Sequence, residues 1–307
     1  MTAVLEGRSV SKWYGQVIAV NNVTFTLEQG VVGLLGPNGA GKSTLMKLIT
    51  GQLQPSQGEV TMFGERIWNN YELFHRIGFC PEQDSFYERM TGAEFLAVML
   101  QMHGYDDAEV ARRTDEALET VKLTEARDKK IAAYSKGMRQ RIKMAQAIAH
   151  DPEVLILDEP LAGMDPVGRH EVIQMVRQWG RDRKCVIVSS HILHEIEAMT
   201  STILLMHNGQ VLAEGDVHQI RDLIDKHPHN ISIRCSVPRR LAEAIVGFPD
   251  VESVKFHPEG DGLTVESRKP DDFYGRLPGL MLDKEIELEE ITSPDDNLQA
   301  VFHYLVK

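Results

Sequence analysis

The sequence predicts an α/β protein built on a parallel sheet, followed by a small α+β domain. Three observations carry this expectation. Val31-Val-Gly-Leu-Leu35, Val154-Leu-Ile-Leu157 and Cys185-Val-Ile-Val188 are apolar runs without alternation, as expected of strands buried on both faces of a parallel sheet. Segments of helical periodicity lie between them, in the place of crossover connections. From residue 231 the pattern changes to a βαββαβ order, which predicts a small split-βαβ sandwich.

Composition bounds the answer. A chain of 307 residues, 42% hydrophobic and 25% charged, suffices for one large domain plus a small one. A net charge of −12 argues against a general basic surface for nucleic acid. Cys80, Cys185 and Cys235 lie far apart without a CxxC, which fits unpaired thiols in a reducing compartment. The 12 histidines show no metal-ligand spacing, and His227-Pro-His229 reads as a solvated linker. No apolar stretch reaches the length of a membrane span, and the first residues lack a signal h-region, so a soluble or peripheral protein is expected.

Residues 4–27 read as β structure, with alternation in Val23-Thr-Phe25-Thr-Leu27. Within them Tyr14 offers a ring that can stack on a purine, although an aromatic on a half-buried strand is usually core. After the strand Val31–Leu35 come Gly36, Pro37, Asn38, Gly39, Ala40, Gly41, Lys42, Ser43 and Thr44, which have the P-loop spacing. Leu45, Leu48 and Ile49 then recur at helical intervals up to a stop at Gly51. The motif therefore lies between a strand and a helix, as its mechanism requires. Glycines let backbone N–H groups curl around an anion, and the helix start adds partial positive charge. Lys42 supplies a full charge for β- and γ-phosphates, and the Ser43 hydroxyl is a ligand for Mg²⁺.

Pro55–Gly58 reads as a turn, Glu59–Phe63 as a strand, and Ile77–Cys80 as a short strand leading to Gln83. The Gln83 amide oxygen can reach Mg²⁺ or an attacking water from such a loop. Residues 90–150 are helical in character. One helix is expected to bury Phe95, Met99 and Met102, and a second Val110, Ala117, Leu118 and Val121. A third is expected to carry an apolar stripe of Met138, Ile142, Ala145 and Ala149 and a polar face of Arg139, Arg141 and Lys143. Ser135 is its N-cap candidate, and with Gly137 it makes the helix start a second anion site.

Asp158 and Glu159 end the strand Val154–Leu157. Asp158 is placed to hold Mg²⁺, and Glu159 to polarise a water for in-line attack. Asp165 follows in a loop, as a helix cap or a subunit contact. Ser189-Ser190-His191 ends the third buried strand. Parallel strand ends cluster at one edge, so His191 joins Lys42, Asp158 and Glu159 there and suits a γ-phosphate sensor. His207-Asn-Gly209 predicts a hairpin turn.

Together these residues resemble the ATP-binding subunit of ABC transporters over about residues 4–220. Tyr14 matches the adenine-stacking aromatic, Gly36–Thr44 the Walker A motif, Gln83 the Q-loop, Val154–Asp158 Walker B, Glu159 the catalytic glutamate, Asp165 the D-loop and His191 the switch histidine. Ser135 and Gly137 agree with the family's signature, where Lys136 and Met138 depart from it. A Ser-Lys-Gly-Met version, and the tail Ser293–Phe302, look like the branch serving ABC-2-type exporters. The resemblance implies a P-loop NTPase ABC cassette: a mixed sheet core with an antiparallel β subdomain and a helical subdomain, residues 1–220, the helical part at about 90–150. A small C-terminal domain follows at 228–307. It further implies ATP and Mg²⁺ as cofactors, and two subunits head to tail with each ATP between one P-loop and the other subunit's Ser135 and Gly137. Lys136 is then expected to add charge near the γ-phosphate in trans. The partners implied are transmembrane permease subunits and a second ATPase subunit, identical or not, and no nucleic acid. The location implied is peripheral, at the cytoplasmic face of the membrane. Two alternatives are a soluble ABC-type ATPase acting on ribosomes or nucleic acid, and a nucleotide-gated regulator.

Overall fold

The run Val31–Leu35 becomes the interior strand on which the first sheet is built. The computed structural model describes residues 3–216 and 228–293. Strand β3 (Gly30–Leu35) pairs in parallel with β8 (Cys185–Ser190) and β9 (Thr202–His207), while β7 (Val154–Leu157) lies between β8 and β6 (Ile77–Cys80). With β10 (Gln210–Asp216) the order is β10-β9-β3-β8-β7-β6. Every residue of β7 and β8 is buried, which explains why neither shows alternation. Asn208 (φ 47°) and Gly209 (φ 77°) make the expected two-residue turn between β9 and β10.

A second sheet, order β2-β1-β4-β5, comprises β1 (Leu5–Tyr14), β2 (Val17–Leu27), β4 (Gln57–Met62) and β5 (Glu65–Arg66), all antiparallel. Helix α1 (Lys42–Ile49) is buried between the sheets. Its Leu45, Met46, Leu48 and Ile49 join Leu5, Phe25 and Met62 from one sheet and Leu34 and Ile156 from the other in one core. Each such side chain contributes about 1.5–3 kcal/mol by leaving water. The helix that carries the P-loop residues is thus fixed by packing on both sides. Short α2 (Tyr71–Phe74), which the periodicity does not predict, precedes β6.

The helical subdomain holds α3 (Gly92–Met102), α4 (Asp107–Thr120) and α5 (Lys136–Ile148). Thr91 and Glu94 form a capping box on α3, Asp106 caps α4, and Ser135 caps α5 by accepting the Met138 N–H at 3.3 Å. Two expectations need correction. Helix α3 buries Gly92, Phe95, Leu96 and Leu100; Met102 is in phase with Phe95 but ends the helix, and is 77% exposed. Lys143, expected on a polar face, is 2% exposed. Its ammonium reaches the Glu82 carbonyl at 2.7 Å and Asp84 at 3.1 Å, and acceptors of this kind let a lysine stem enter a core. Helix α6 (Pro166–Arg181) connects β7 to β8, and α7 (Leu193–Glu197) follows β8.

The chain divides after Gly215 into two compact units. The second contains β11 (His229–Cys235), α8 (Pro238–Ile245), β12 (Val251–Phe256), β13 (Gly262–Ser267), α9 (Pro270–Asp283) and β14 (Leu288–Thr292), in the βαββαβ order expected. Its sheet order is β12-β13-β11-β14. Ile231, Ile233 and Cys235 alternate inward from β11 against Leu241 and Ile245 of α8 and Phe273 and Leu277 of α9. The last helix expected from residue 295 lies outside the described residues. Among the described residues no helix is long and apolar enough to cross a membrane.

Candidate functional site

Register brings three loops together. Leu35 pairs with Ser190 and Leu157 with Val188, so β3, β8 and β7 end side by side. A cavity of about 530 Å³ opens over those ends. Pro37 to Thr44 form one wall, Asp158, Glu159 and His191 a second, and Val17 and Ile18 an apolar margin. Gly36 lies beneath, where a Cβ would stand 2.5 Å from the Met206 carbonyl oxygen.

The loop's shape depends on its glycines. Gly39 (φ 82°) and Gly41 (φ 101°) occupy left-handed conformations, and a side chain on Gly41 would also strike the Ala19 carbonyl. The Gly209 N–H donates to the Ala40 carbonyl at 2.9 Å, so the β9–β10 turn braces the loop from below. Lys42 is 7% exposed and donates to the Gly36 carbonyl at 2.6 Å and the Pro37 carbonyl at 3.3 Å. Burial pushes its pKa down, while the charges of Glu159, Asp158 and Glu82 pull it back up. A cation among those carboxylates, at the start of a helix, is suited to an anionic ligand.

Asp158 and Glu159 are held by a residue whose role the sequence does not announce. The buried Ser189 hydroxyl donates to Asp158 Oδ1 at 2.6 Å and accepts the Glu159 N–H at 2.8 Å. One hydroxyl thus aims both acids. Glu159 sits at φ 48°, a left-handed conformation that a side chain adopts at a cost. Its carboxylate lies 3.9 Å from Lys42 Nζ and 3.0 Å from His191 Nδ1. Burial raises its pKa, opposed by the His191 hydrogen bond and by the charges of His191 and Lys42. A carboxylate whose pKa is raised is a stronger base than a solvated one, and beside an imidazole it is suited to take a proton from water.

The remaining candidates stand elsewhere. Gln83 is exposed and outside the cavity lining, whereas the preceding Glu82 lines it. The bond from Lys143 to the Glu82 carbonyl fixes the loop at that point. Tyr14 is 47% exposed near the β1–β2 turn, with Lys12 Nζ 5.6 Å from its ring centre, and lies outside the lining. Ser135 and Asp165 are exposed N-caps of α5 and α6 and, with Gly137, also lie outside it. The Lys136 stem lies over Gly163, where a Cβ would collide with its Cδ and Cε. Among the described residues no group of three or more His, Cys, Asp or Glu could hold a metal ion.

Comparison with known proteins places the chain among similar sequences and folds. The family model for ABC transporters matches residues 20–162. The bacitracin transport ATP-binding protein BcrA of Bacillus licheniformis is 30% identical over 309 residues, covering 100% of this chain and 98% of that protein. An uncharacterised ABC transporter ATP-binding protein, YxlF of Bacillus subtilis (strain 168), is 36% identical over 233 residues, 75% of this chain and 77% of its own length. A solved ATP-binding subunit of an ABC transporter superposes with a TM-score of 0.65 at 31% identity, covering 71% of this chain and 92% of that one.

Proposed function

The chain belongs to the ABC transporter family as an ATP-binding subunit with ATPase activity, and from that premise we propose how its residues divide the work and what they drive. The observation that carries the reading is the meeting of Lys42, Asp158, Glu159 and His191 around one cavity, with Glu159 and His191 3.0 Å apart.

The loop amides of Gly39–Thr44 and the Lys42 ammonium bind the β- and γ-phosphates of ATP. The Ser43 hydroxyl and the Asp158 carboxylate, hard oxygen donors, suit Mg²⁺, which takes one or two carboxylates plus substrate phosphates rather than a full protein cage. Bound there, Mg²⁺ would neutralise charge on the phosphate oxygens. Glu82, in the place expected of Gln83, is the loop acid that faces this position. Glu159 orients and deprotonates the attacking water, and His191 holds Glu159 and contacts the γ-phosphate. Tyr14 stacks on the adenine above Val17 and Ile18.

Ser135, Gly137 and Asp165 serve a second copy or a paralogous subunit. Ser135 and Asp165 are exposed and, with Gly137, lie outside the chain's own cavity, which supports this, since a capped helix start outside one nucleotide site is free to meet another. The closed pair then drives separate transmembrane permease subunits from the cytoplasmic face. The relative named for bacitracin transport supports a reading as a transport ATPase, and export is the direction we propose. The testing variant is Glu159→Gln. It should keep MgATP affinity within about threefold and lower turnover by about 10²–10⁴-fold, the range for a lost general base. Steady-state hydrolysis at the wild-type rate in that variant would refute the assignment.

A further inference from the structure

We propose that Glu195 and Arg169 are positioning residues for hydrolysis, which set His191 against Glu159 from behind and tie it to the loop carrying Asp165. The inference rests on the reading above that Glu159 and His191 carry the reaction. Glu195 is 6% exposed, and Ser190 is 2% exposed. The Ser190 hydroxyl donates to Glu195 Oε2 at 2.8 Å and accepts the Ile192 N–H at 3.0 Å. His191 lies between those two residues, so its backbone is closed into a short hydrogen-bonded turn anchored on a buried carboxylate.

The other oxygen of that carboxylate faces Arg169. Its Nη1 donates to Glu195 Oε1 at 3.0 Å, and its Nε donates to the Met164 carbonyl at 3.2 Å. Met164 directly precedes Asp165. A continuous set of bonds therefore runs from the His191 turn through Glu195 and Arg169 to the Asp165 loop, joining segments 26 residues apart. A buried carboxylate persists only when its oxygens are satisfied, and here both are occupied. Fold stability alone could use such an ion pair anywhere. This one spans two loops that both meet the nucleotide in the assembled pair. The Lys42, Asp158 and Glu159 side chains take no part in it, so substrate binding and the placement of His191 are separable.

The experiment uses the full chain in an MgATP turnover assay. Glu195→Gln keeps the shape and an acceptor for Ser190 but removes the charge facing Arg169. It should lower kcat about tenfold with KM for ATP within about twofold, as expected when only transition-state placement is lost. Arg169→Lys should recover most of the rate lost in Arg169→Ala. In a His191→Ala background, Glu195→Gln should cost no further rate, because the two changes act through one group. In a histidine-labelled NMR spectrum, the His191 resonance, identified by its loss in His191→Ala, should shift in Glu195→Gln. An equal loss of rate with and without His191, or an unmoved His191 resonance, overturns the proposal. Full-rate hydrolysis by His191→Ala would instead overturn the site assignment on which it rests.

Discussion

Glu159 offers a sharp test because its backbone and its side chain make opposite demands. It stands at φ 48°, a region that costs a residue with a Cβ about 1–2 kcal/mol. Glycine is free of that cost but gives up about 0.5–1 kcal/mol relative to alanine through the entropy of the unfolded chain. Both Glu159→Ala and Glu159→Gly delete the buried carboxylate, so their difference isolates the backbone. At an ordinary position the alanine variant is the more stable. Here the glycine variant should lead by about 0.5–1 kcal/mol, or about 1–4 °C in melting temperature for a unit of this size. Both variants lose the proposed base and should be inactive, so the assay is thermal unfolding without nucleotide, followed by circular dichroism. An alanine variant that melts above the glycine variant would show that the loop relaxes and that position 159 holds no strain. The physical reason for the strain is the turn itself. Asp158 ends a buried strand, and the chain must reverse sharply for the next carboxylate to face His191.

Further outcomes follow from other contacts. Lys42→Met, which keeps the stem and removes the ammonium, should weaken ATP binding by about 10–100-fold, the worth of a charge-assisted contact, as read by equilibrium titration. His150 is buried, stacked on His103 at 4.3 Å, and bonded to the Ile77 carbonyl at 3.0 Å; burial first, then the charges of His103, His75 and Lys184, push its pKa down to about 4 from 6.5. The unfolded chain therefore binds this proton near pH 6.5 and the folded chain only near 4. Stability present above 6.5 should drain away as pH falls between the two, by roughly 3 kcal/mol at most, and His150→Gln should flatten that acid slope in melts from pH 7.5 to 4.5. Glu159 shifts the other way. Its raised pKa should place the acid limb of the kcat profile above the ordinary carboxylate value of 4.5, a limb that Glu159→Gln abolishes along with the rate. Lys136→Met and Lys136→Gly separate two roles for that residue: loss of turnover in both points to charge in trans, and loss in the glycine variant alone points to the stem resting on Gly163.

Much of this molecule was legible in the residues taken in order. The strand Val31–Leu35, the loop Gly36–Thr44 and the helix after it are set by contacts within a few residues: glycine conformations, a helix start and an apolar stripe. The alternation of Ile231, Ile233 and Cys235, and the Asn208-Gly209 turn, are equally local. Periodicity also fixed that Asp158, Glu159 and His191 follow buried strands, and parallel strands end on one edge. What it left undecided are quantities set by register between distant segments. Whether Glu82 or Gln83 faces the cavity turns on one residue at the end of β6, and each step along a chain turns the side chain away. Lys143, from a helix some 60 residues on, settles that step by holding the Glu82 carbonyl. In the same way Ser189 becomes the clamp of two acids, and Glu195 the anchor of a histidine turn, only once β8 lies beside β7 and α6 returns across them. A hydroxyl or a carboxylate has no partner in a linear text. Its hydrogen bonds, and with them its role, exist only after folding has chosen its neighbours.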